Sequence, residues 1–158
     1  MATLGWLDEG EFRAWMGYRR MRLLLDAEIA RDLMRTSGLS MPDYDVLSVL
    51  ADAPGQRQRL TALAARMLWS KSRLSRHISR MEVRGLVVRE EDAADARRSG
   101  VVLTDKGRQA IVQAASDHVE SVRRHFIDLL TEDQLRMVGE VAETVLSRLP
   151  PLSDGSEI

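Results

Sequence analysis

One segment of the sequence concentrates side chains that could bind a polyanion. Residues 54–81 contain no carboxylate but carry seven cations: Arg57, Arg59, Arg66, Lys71, Arg73, Arg76 and Arg80. Since the formal net charge of the chain is −1, the segment contributes +7 and the remainder must contribute −8. Local concentration of positive charge indicates nucleic-acid binding. The alternative is a solvated basic helix without a partner, and the serines interleaved with the cations favour the first interpretation.

The second half of this segment is predicted to form a helix from about residue 71 to residue 84. Leu74, Ile78 and Met81 recur at helical spacing and should face the core, so that the cations, Ser72 and His77 point outward. Arginine can donate two hydrogen bonds to guanine in the major groove, while serine and free N–H groups at a helix start suit phosphate oxygens. The predicted DNA-contacting residues of this helix are Ser70, Lys71, Ser72, Arg73, Ser75, Arg76, His77 and Arg80.

The elements around this helix are those of a winged helix-turn-helix. A short helix over residues 62–67 and a break at residues 68–70 precede it, and Gly85 ends it. Residues 86–89 and 101–103 are rich in β-formers and predict a hairpin around a polar loop. In that loop Asp95, Arg97 and Arg98 are candidates for DNA contact, with Asp95 holding Arg97 extended toward the minor groove. The alternative is an exposed loop ion pair that contributes little energy.

Long amphipathic helices flank this unit. One is predicted from residue 11 to about residue 35, and capping boxes at Ser40 with Asp43 and at Thr131 with Gln134 predict two further helix starts. Apolar residues step by three and four along the last two helices, at 112, 115, 119, 122, 126 and 129 and then at 135, 138, 142, 145 and 149. Such narrow stripes are typical of coiled-coil interfaces and predict a dimer. The alternative is that the two helices pack only on each other within one chain.

Composition excludes several classes of protein. The chain has 158 residues, of which 44% are hydrophobic, 4% aromatic and none cysteine. The absence of cysteine excludes disulfides and thiolate metal sites, and no apolar run is long enough to cross a bilayer, so a cytoplasmic protein without a membrane partner is expected. His118 and His125 lie seven residues apart without further ligands, so neither a metal nor another cofactor is expected. Neither a nucleophile–base pair nor a glycine-rich phosphate loop is present, which argues against an enzyme.

Five short motifs, in this order and spacing, resemble the winged-helix core of MarR-type (multiple antibiotic resistance regulator) transcription factors. They are LTALA at 60–64, SKSRLSR at 70–76, MEVRGLV at 81–87, DAR at 95–97 and LTDKG at 103–107. The flanking long helices match the family only in layout. Gly100 departs from the pattern, because a β-branched residue would suit the second wing strand, so that strand is expected to begin late.

The resemblance implies an obligate homodimer that binds a pseudo-palindromic operator in double-stranded DNA, usually as a repressor. It implies that Asp95 and Arg97 form the wing motif of the family. Related regulators place an effector pocket near the first helix, where Trp15, Tyr18 and Arg19 are candidates for binding a small aromatic effector. Aromatic residues at helical spacing are more often core residues, and that alternative stays open.

The predicted fold class is mainly α, a winged helix-turn-helix with long terminal dimerisation helices. The predicted divisions are residues 1–38 and 104–149 for dimerisation, 39–103 for DNA binding and 150–158 as a flexible tail. The predicted function is sequence-specific regulation of transcription in a bacterial cytoplasm. The alternative function is a winged-helix module that binds an acidic protein through the same basic face.

Overall fold

The chain is mainly α-helical, with one small antiparallel sheet. The computed structural model describes residues 7–90 and 100–150. Its helices and strands are α1 (Glu9–Ser37), α2 (Met41–Asp52), β1 (Arg57–Gln58), α3 (Leu60–Arg66), α4 (Lys71–Val83), β2 (Val87–Glu90), β3 (Gly100–Leu103), α5 (Asp105–His125) and α6 (Glu132–Leu146). Two 3₁₀ turns, Pro54–Gln56 and Ile127–Leu129, follow α2 and α5. The predicted class is confirmed, and the tail predicted at residues 150–158 lies almost wholly outside the described residues.

The helix boundaries follow from local caps that the sequence displays. Both predicted capping boxes are present, with Ser40 and Asp43 at the start of α2 and Thr131 and Gln134 at the start of α6. At the end of α4 Gly85 has φ +73°, and the N–H of Leu86 donates to the carbonyl of Met81 over 3.0 Å. This is the Schellman arrangement, in which glycine takes the left-handed conformation without a Cβ penalty. Helix α4 therefore ends where the sequence predicts.

The core lies where α2, α4 and α5 meet the sheet. Leu47, Leu50, Leu74, Ile78 and Met81 are fully buried there. Burial of a leucine or isoleucine side chain contributes about 1.5–3 kcal/mol, so the three inner residues of α4 hold this helix firmly against the domain. The opposite side of α4 is thereby fixed toward solvent.

The sheet has the strand order β1-β3-β2, and both pairings are antiparallel. Strand β1 was not predicted, because a strand of two residues is too short to show an alternating pattern. The prediction that β3 begins late was wrong: it begins at Gly100, which pairs with Glu90. A Cβ at Gly100 would lie 2.7 Å from the carbonyl oxygen of Gln58, so the close passage of β1 requires glycine.

The start of α5 packs tightly against Gly85 and Leu86, which follow α4. A Cβ at Gly107 would lie 2.0 Å from the carbonyl oxygen of Leu86, which only glycine avoids. The Thr104 hydroxyl caps α5 by accepting from the N–H of Gly107, and it lies 2.7 Å from the carbonyl oxygen of Gly85, to which it donates. The LTDKG motif therefore joins the wing, the end of α4 and α5.

The apolar stripe predicted on α5 is not the side that packs on the rest of the chain. The buried side contains Ile111, Ala114 and Ser121, whereas Val112 is 68% exposed and Val119 is 55% exposed. The exposed stripe is the one predicted to form a dimer interface, whereas the buried side was not predicted, because serine and histidine interrupt its hydrophobic pattern. The α6 stripe is exposed as well, and α6 has no buried residue. The two stripes therefore do not cover each other within one chain.

Among the described residues, no helix combines the length and apolar character that a membrane crossing requires.

Candidate nucleic-acid interface

Helix α4 is positioned by a tight turn and by its buried stripe. The N–H of Trp69 donates to the carbonyl of Ala64 over 2.9 Å, which closes the turn after α3. The Ser70 side chain then caps α4 by accepting from the N–H of Arg73 over 3.3 Å. Ser70 was predicted to bind DNA, and its hydroxyl is thus partly committed to the helix start.

The outer face of α4 carries most of the predicted contact residues. Rotation by about 100° per residue places Ser72, Arg76, Ser79 and Val83 farthest from the buried stripe. These four side chains are exposed, as are Lys71, Arg73 and Arg80. Exposed positions at i and i+4 lie side by side, so Ser72, Arg76 and Arg80 form a continuous polar row. Such a row on a helix that projects from its core can enter the major groove of B-DNA, which is wide enough for an α-helix.

Trp69 organises one flank of this face. The Arg73 guanidinium lies 4.0 Å from the centre of the Trp69 ring, which is a cation–π contact. The ring of His77 meets the same indole edge-on, with 5.4 Å between ring centres. The indole therefore limits the directions that Arg73 can take, although Arg73 itself stays exposed.

The prediction that His77 points outward was wrong. His77 is only 6% exposed and lies against the start of α2, because the buried side of α4 is wider than its three apolar residues. Its Nδ1 lies 3.0 Å from Nη2 of Arg80, and its Nε2 lies 3.2 Å from Oδ1 of Asp43 without hydrogen-bond alignment. Burial lowers the pKa of His77 below 6.5, although the Asp43 carboxylate opposes this effect.

The structure reveals a buried carboxylate in the interface, Asp43, that the sequence showed only as a helix cap. Its side chain accepts from the N–H of Ser40 over 2.9 Å and from Nη1 of Arg84 over 2.6 Å. Burial by itself raises the pKa of Asp43, but hydrogen bonds from Arg84 and Ser40 outweigh it and lower the pKa below 3.8. Arg84 also donates to the carbonyl of Gly38 over 3.0 Å. The end of α4 is thus tied to the turn between α1 and α2.

A shallow cavity of about 390 Å³ opens between α4 and this turn. Asp43 and His77 line its deep side, and three guanidinium groups surround its mouth. The lining residues are Met34, Ser40, Pro42, Asp43, Trp69, Arg73, His77, Arg80 and Arg84.

The other flank of α4 is bound to the first wing strand through Arg89. Its Nη2 donates to the carbonyl of Ser75 over 2.7 Å and lies 3.2 Å from the Ser75 hydroxyl, while its Nη1 donates to the Ser79 hydroxyl over 3.1 Å. Arg89 also forms an ion pair with Glu82. Ser75, which was predicted to contact DNA, is therefore half-buried and engaged by Arg89.

The other predicted site residues, those of the wing and of the effector site, do not lie on α4. Asp95, Arg97 and Arg98 lie outside the described residues. Trp15 and Tyr18 are about half exposed and stack on each other on α1, with 5.9 Å between ring centres, and Arg19 is exposed on the same helix. The structure therefore neither gathers these three side chains into a cavity of the single chain nor buries them in its core.

The two histidines of α5 serve packing within the chain. His125 Nε2 and the Ser121 hydroxyl each lie 2.9 Å from Oδ2 of Asp32 on α1. Hydrogen bonds from Arg35 first, and then from His125 and Ser121, lower the pKa of Asp32 strongly. His118 packs on Tyr44 of α2, with 4.4 Å between ring centres. Within the described part of the chain, no group of three or more potential ligands could hold a metal ion.

Comparison with known proteins agrees with this geometry. The family model described as MarR family matches residues 37–98, which include α2, α3, α4 and the first wing strand. Transcriptional regulator HosA of Escherichia coli O157:H7 is 33% identical over 130 residues, which are 82% of this chain and 94% of HosA. The chain belongs to the MarR family.

Two crystal structures of MarR family transcriptional regulators from Streptomyces coelicolor share the architecture. AbsC is 38% identical with a TM-score of 0.82, and the match covers 90% of this chain and 95% of AbsC. Sco3205, solved in complex with DNA, is 35% identical with a TM-score of 0.83, and the match covers 92% of this chain and 95% of Sco3205. The fold and relatives are those of MarR family transcriptional regulators and not of enzymes.

Proposed function

We propose that this MarR family regulator is a homodimeric repressor in the bacterial cytoplasm that binds a pseudo-palindromic operator through the exposed face of α4. The observation that carries the proposal is the row Ser72, Arg76 and Arg80, exposed on a helix whose opposite side is fully buried. The structure of Sco3205 with DNA supports the same use of the fold. Repression is the simplest mode, because a bound dimer blocks polymerase without contacting it.

Apolar surface on two helices supports the dimer. A single chain exposes large apolar side chains along the first half of α1 and along α6 and the turn that follows it: Trp15, Met16, Tyr18, Met21, Leu23, Leu24, Met137, Val138, Val141, Val145, Leu146 and Leu149. Contiguous apolar surface of this extent marks an interaction site. A second copy would cover it symmetrically and present two α4 helices to successive major grooves, about 10 base pairs apart or a multiple of that. Residues 1–38 and 104–149 would then form the dimer region, and residues 39–103 would bind DNA.

The wing and the first helix complete the proposal. We expect the wing loop to contact DNA through Arg97 and Arg98, with Asp95 holding Arg97 extended toward the minor groove. A small aromatic acid binds near Trp15, Tyr18 and Arg19 in the dimer, where the rings offer stacking surface and the guanidinium offers two donors to a carboxylate. Binding there changes the relative position of the two DNA-binding units, and the dimer then releases the operator.

The test is a binding titration with two duplexes at several salt concentrations. One duplex is selected from random DNA by the protein itself, and the other is unselected. If each subunit neutralises about five phosphates, the logarithm of affinity falls with the logarithm of salt concentration at a slope near −9. Absence of binding to either duplex at low salt would instead favour a module that binds an acidic protein. Repeating the titration with aromatic acids tests effector release.

A further inference from the structure

We propose that His77 is a positioning residue that orients Arg80 for DNA contact, and that Asp43 fixes the orientation of His77. The inference rests on the proposed function, because it concerns how one arginine of the interface is held. It assigns to His77 a role that acts through Arg80 and not through the nucleic acid directly.

The contact between the two residues has a defined donor and acceptor. Nη2 of Arg80 lies 3.0 Å from Nδ1 of His77. A guanidinium group can only donate, so Nδ1 must be the unprotonated acceptor nitrogen. The ring proton then lies on Nε2, which faces Oδ1 of Asp43 at 3.2 Å. Nε2 is not aligned for a hydrogen bond to the carboxylate, so the guanidinium selects the tautomer of the neutral ring and the carboxylate favours it only through its charge.

Each partner of His77 is itself held in place. Asp43 is 2% exposed and is fixed by the N–H of Ser40 and by Arg84. The indole of Trp69 meets the imidazole edge-on. A ring clamped between a carboxylate and an indole offers Arg80 an acceptor of fixed direction. An exposed arginine loses side-chain entropy when it binds DNA, and a preformed tether reduces that loss.

Protonation would break this arrangement. The charged groups that face His77 are Asp43 from α2, Arg73 and Arg80 from α4, and Arg84 just after α4, while α1 contributes only Met34 to the same cavity. A proton on Nδ1 removes the acceptor and places positive charge beside the Arg80 guanidinium. Arg80 is then released, and we expect discrimination between selected and unselected DNA to fall once the pH drops below the pKa of the folded His77, which burial lowers from 6.5.

The test is a double-mutant cycle measured as the ratio of affinities for the selected and unselected duplexes. His77→Leu removes the acceptor, and we expect it to lower this ratio about three- to tenfold at pH 7.5, with Arg80→Ala doing the same. The double variant should have the same affinity ratio as Arg80→Ala alone, because His77 affects DNA binding only through Arg80. A purely structural contribution of His77 would instead give additive losses, which would overturn the proposal.

His77→Asn is the matched control, since its Oδ1 replaces Nδ1 as an acceptor but does not titrate. We expect this variant to bind as the wild type does at pH 7.5 and to keep its discrimination below pH 6.5. If it behaves as His77→Leu does, or if the wild type shows no loss at low pH, the positioning role is wrong. Thermal unfolding checks that each variant is folded. If His77→Leu does not fold, the pH series on His77→Asn and the wild type still tests whether His77 positions Arg80. Failure of the wild type to bind any duplex at low salt would overturn the proposed function itself, and with it this inference.

Discussion

Asp43 at the start of α2 and Arg84 just after α4 form an ion pair across 41 residues of sequence, with 2.6 Å between Oδ2 and Nη1. The carboxylate is buried and the guanidinium side chain is 42% exposed. The pair joins the start of α2 to the end of α4, so it restrains the position of α4.

Replacing Arg84 by methionine should lower the free energy of unfolding by about 1–3 kcal/mol. The substitution leaves a buried carboxylate with fewer donors, but the partial exposure of Arg84 makes the cost smaller than for a fully buried pair. Urea denaturation measures the effect. The matched control is Arg136→Met, which breaks an exposed pair with Asp133 on α6 and should cost less than about 0.5 kcal/mol. Equal losses in the two variants would contradict this role of Arg84.

Stability should fall in two separate pH windows. Burial lowers the pKa of His77 and of His118, so below pH 6.5 the unfolded chain takes up protons that the folded chain does not, and stability decreases. The lowered pKa of Asp43 stabilises the fold above pH 3.8, and that contribution is lost as pH falls below 3.8. His118→Phe keeps the contact with Tyr44 but removes one titrating ring, so its urea midpoint should depend less on pH between 6.5 and 5. An unchanged slope would show that His118 does not contribute.

Gly107→Ala should destabilise the fold by at least about 2 kcal/mol. The added methyl group would collide with the carbonyl of Leu86 and with Leu103, and backbone cannot move aside without opening the junction of α5 and the sheet. Gln109→Ala is the control, because this exposed position on the same turn should change stability by less than about 0.5 kcal/mol. Wild-type thermal stability in Gly107→Ala would mean that the junction is less tightly packed than described.

Placing charge on the apolar stripe of α6 should prevent dimerisation. Val138 and Val145 are exposed on the single chain, and burying two carboxylates at a dimer interface is costly. We expect the double variant Val138→Glu, Val145→Glu to sediment as a monomer at micromolar concentration and to lose duplex affinity at least about tenfold. Ser147→Glu, at the C-cap of α6 and on the side opposite Val138 and Val145, should remain dimeric. A double variant that sediments as the wild type does would place the interface elsewhere.

Arg76→Ala and Lys71→Ala should affect DNA binding differently. Arg76 lies on the outermost line of α4, so its loss should relax base preference at one operator position and cost about 1–3 kcal/mol there. Lys71 lies at the helix start, where its loss should weaken binding to all sequences and reduce the salt slope by about 1. Selection of bound sequences from random DNA and a salt series measure the two effects. Uniform weakening by Arg76→Ala would make it a phosphate contact.

The sequence alone was sufficient to locate the helices, the turn before α4 and the exposed cations of α4. Caps such as Ser40 with Asp43, the terminating Gly85 and the stripe Leu74, Ile78 and Met81 act over one or two helical turns, so their signals lie within a few residues of their effects. The order of the five motifs was specific enough to indicate the family. Arg76 and Ser72 were correctly predicted to be exposed, because they lie opposite that stripe.

Contacts between distant segments were decided only by the tertiary structure. His77 lies on the buried side of α4, with Nε2 3.2 Å from Oδ1 of Asp43, and the pattern of α4 could not reveal this carboxylate 34 positions earlier. Gly100 and Gly107 are required by backbones that reach them from β1 and from the end of α4, not by their own neighbours. Local sequence determines which helices form because their hydrogen bonds are local. Which polar side chains become buried partners depends on packing between segments far apart in the chain, and periodicity within one helix carries no information about that.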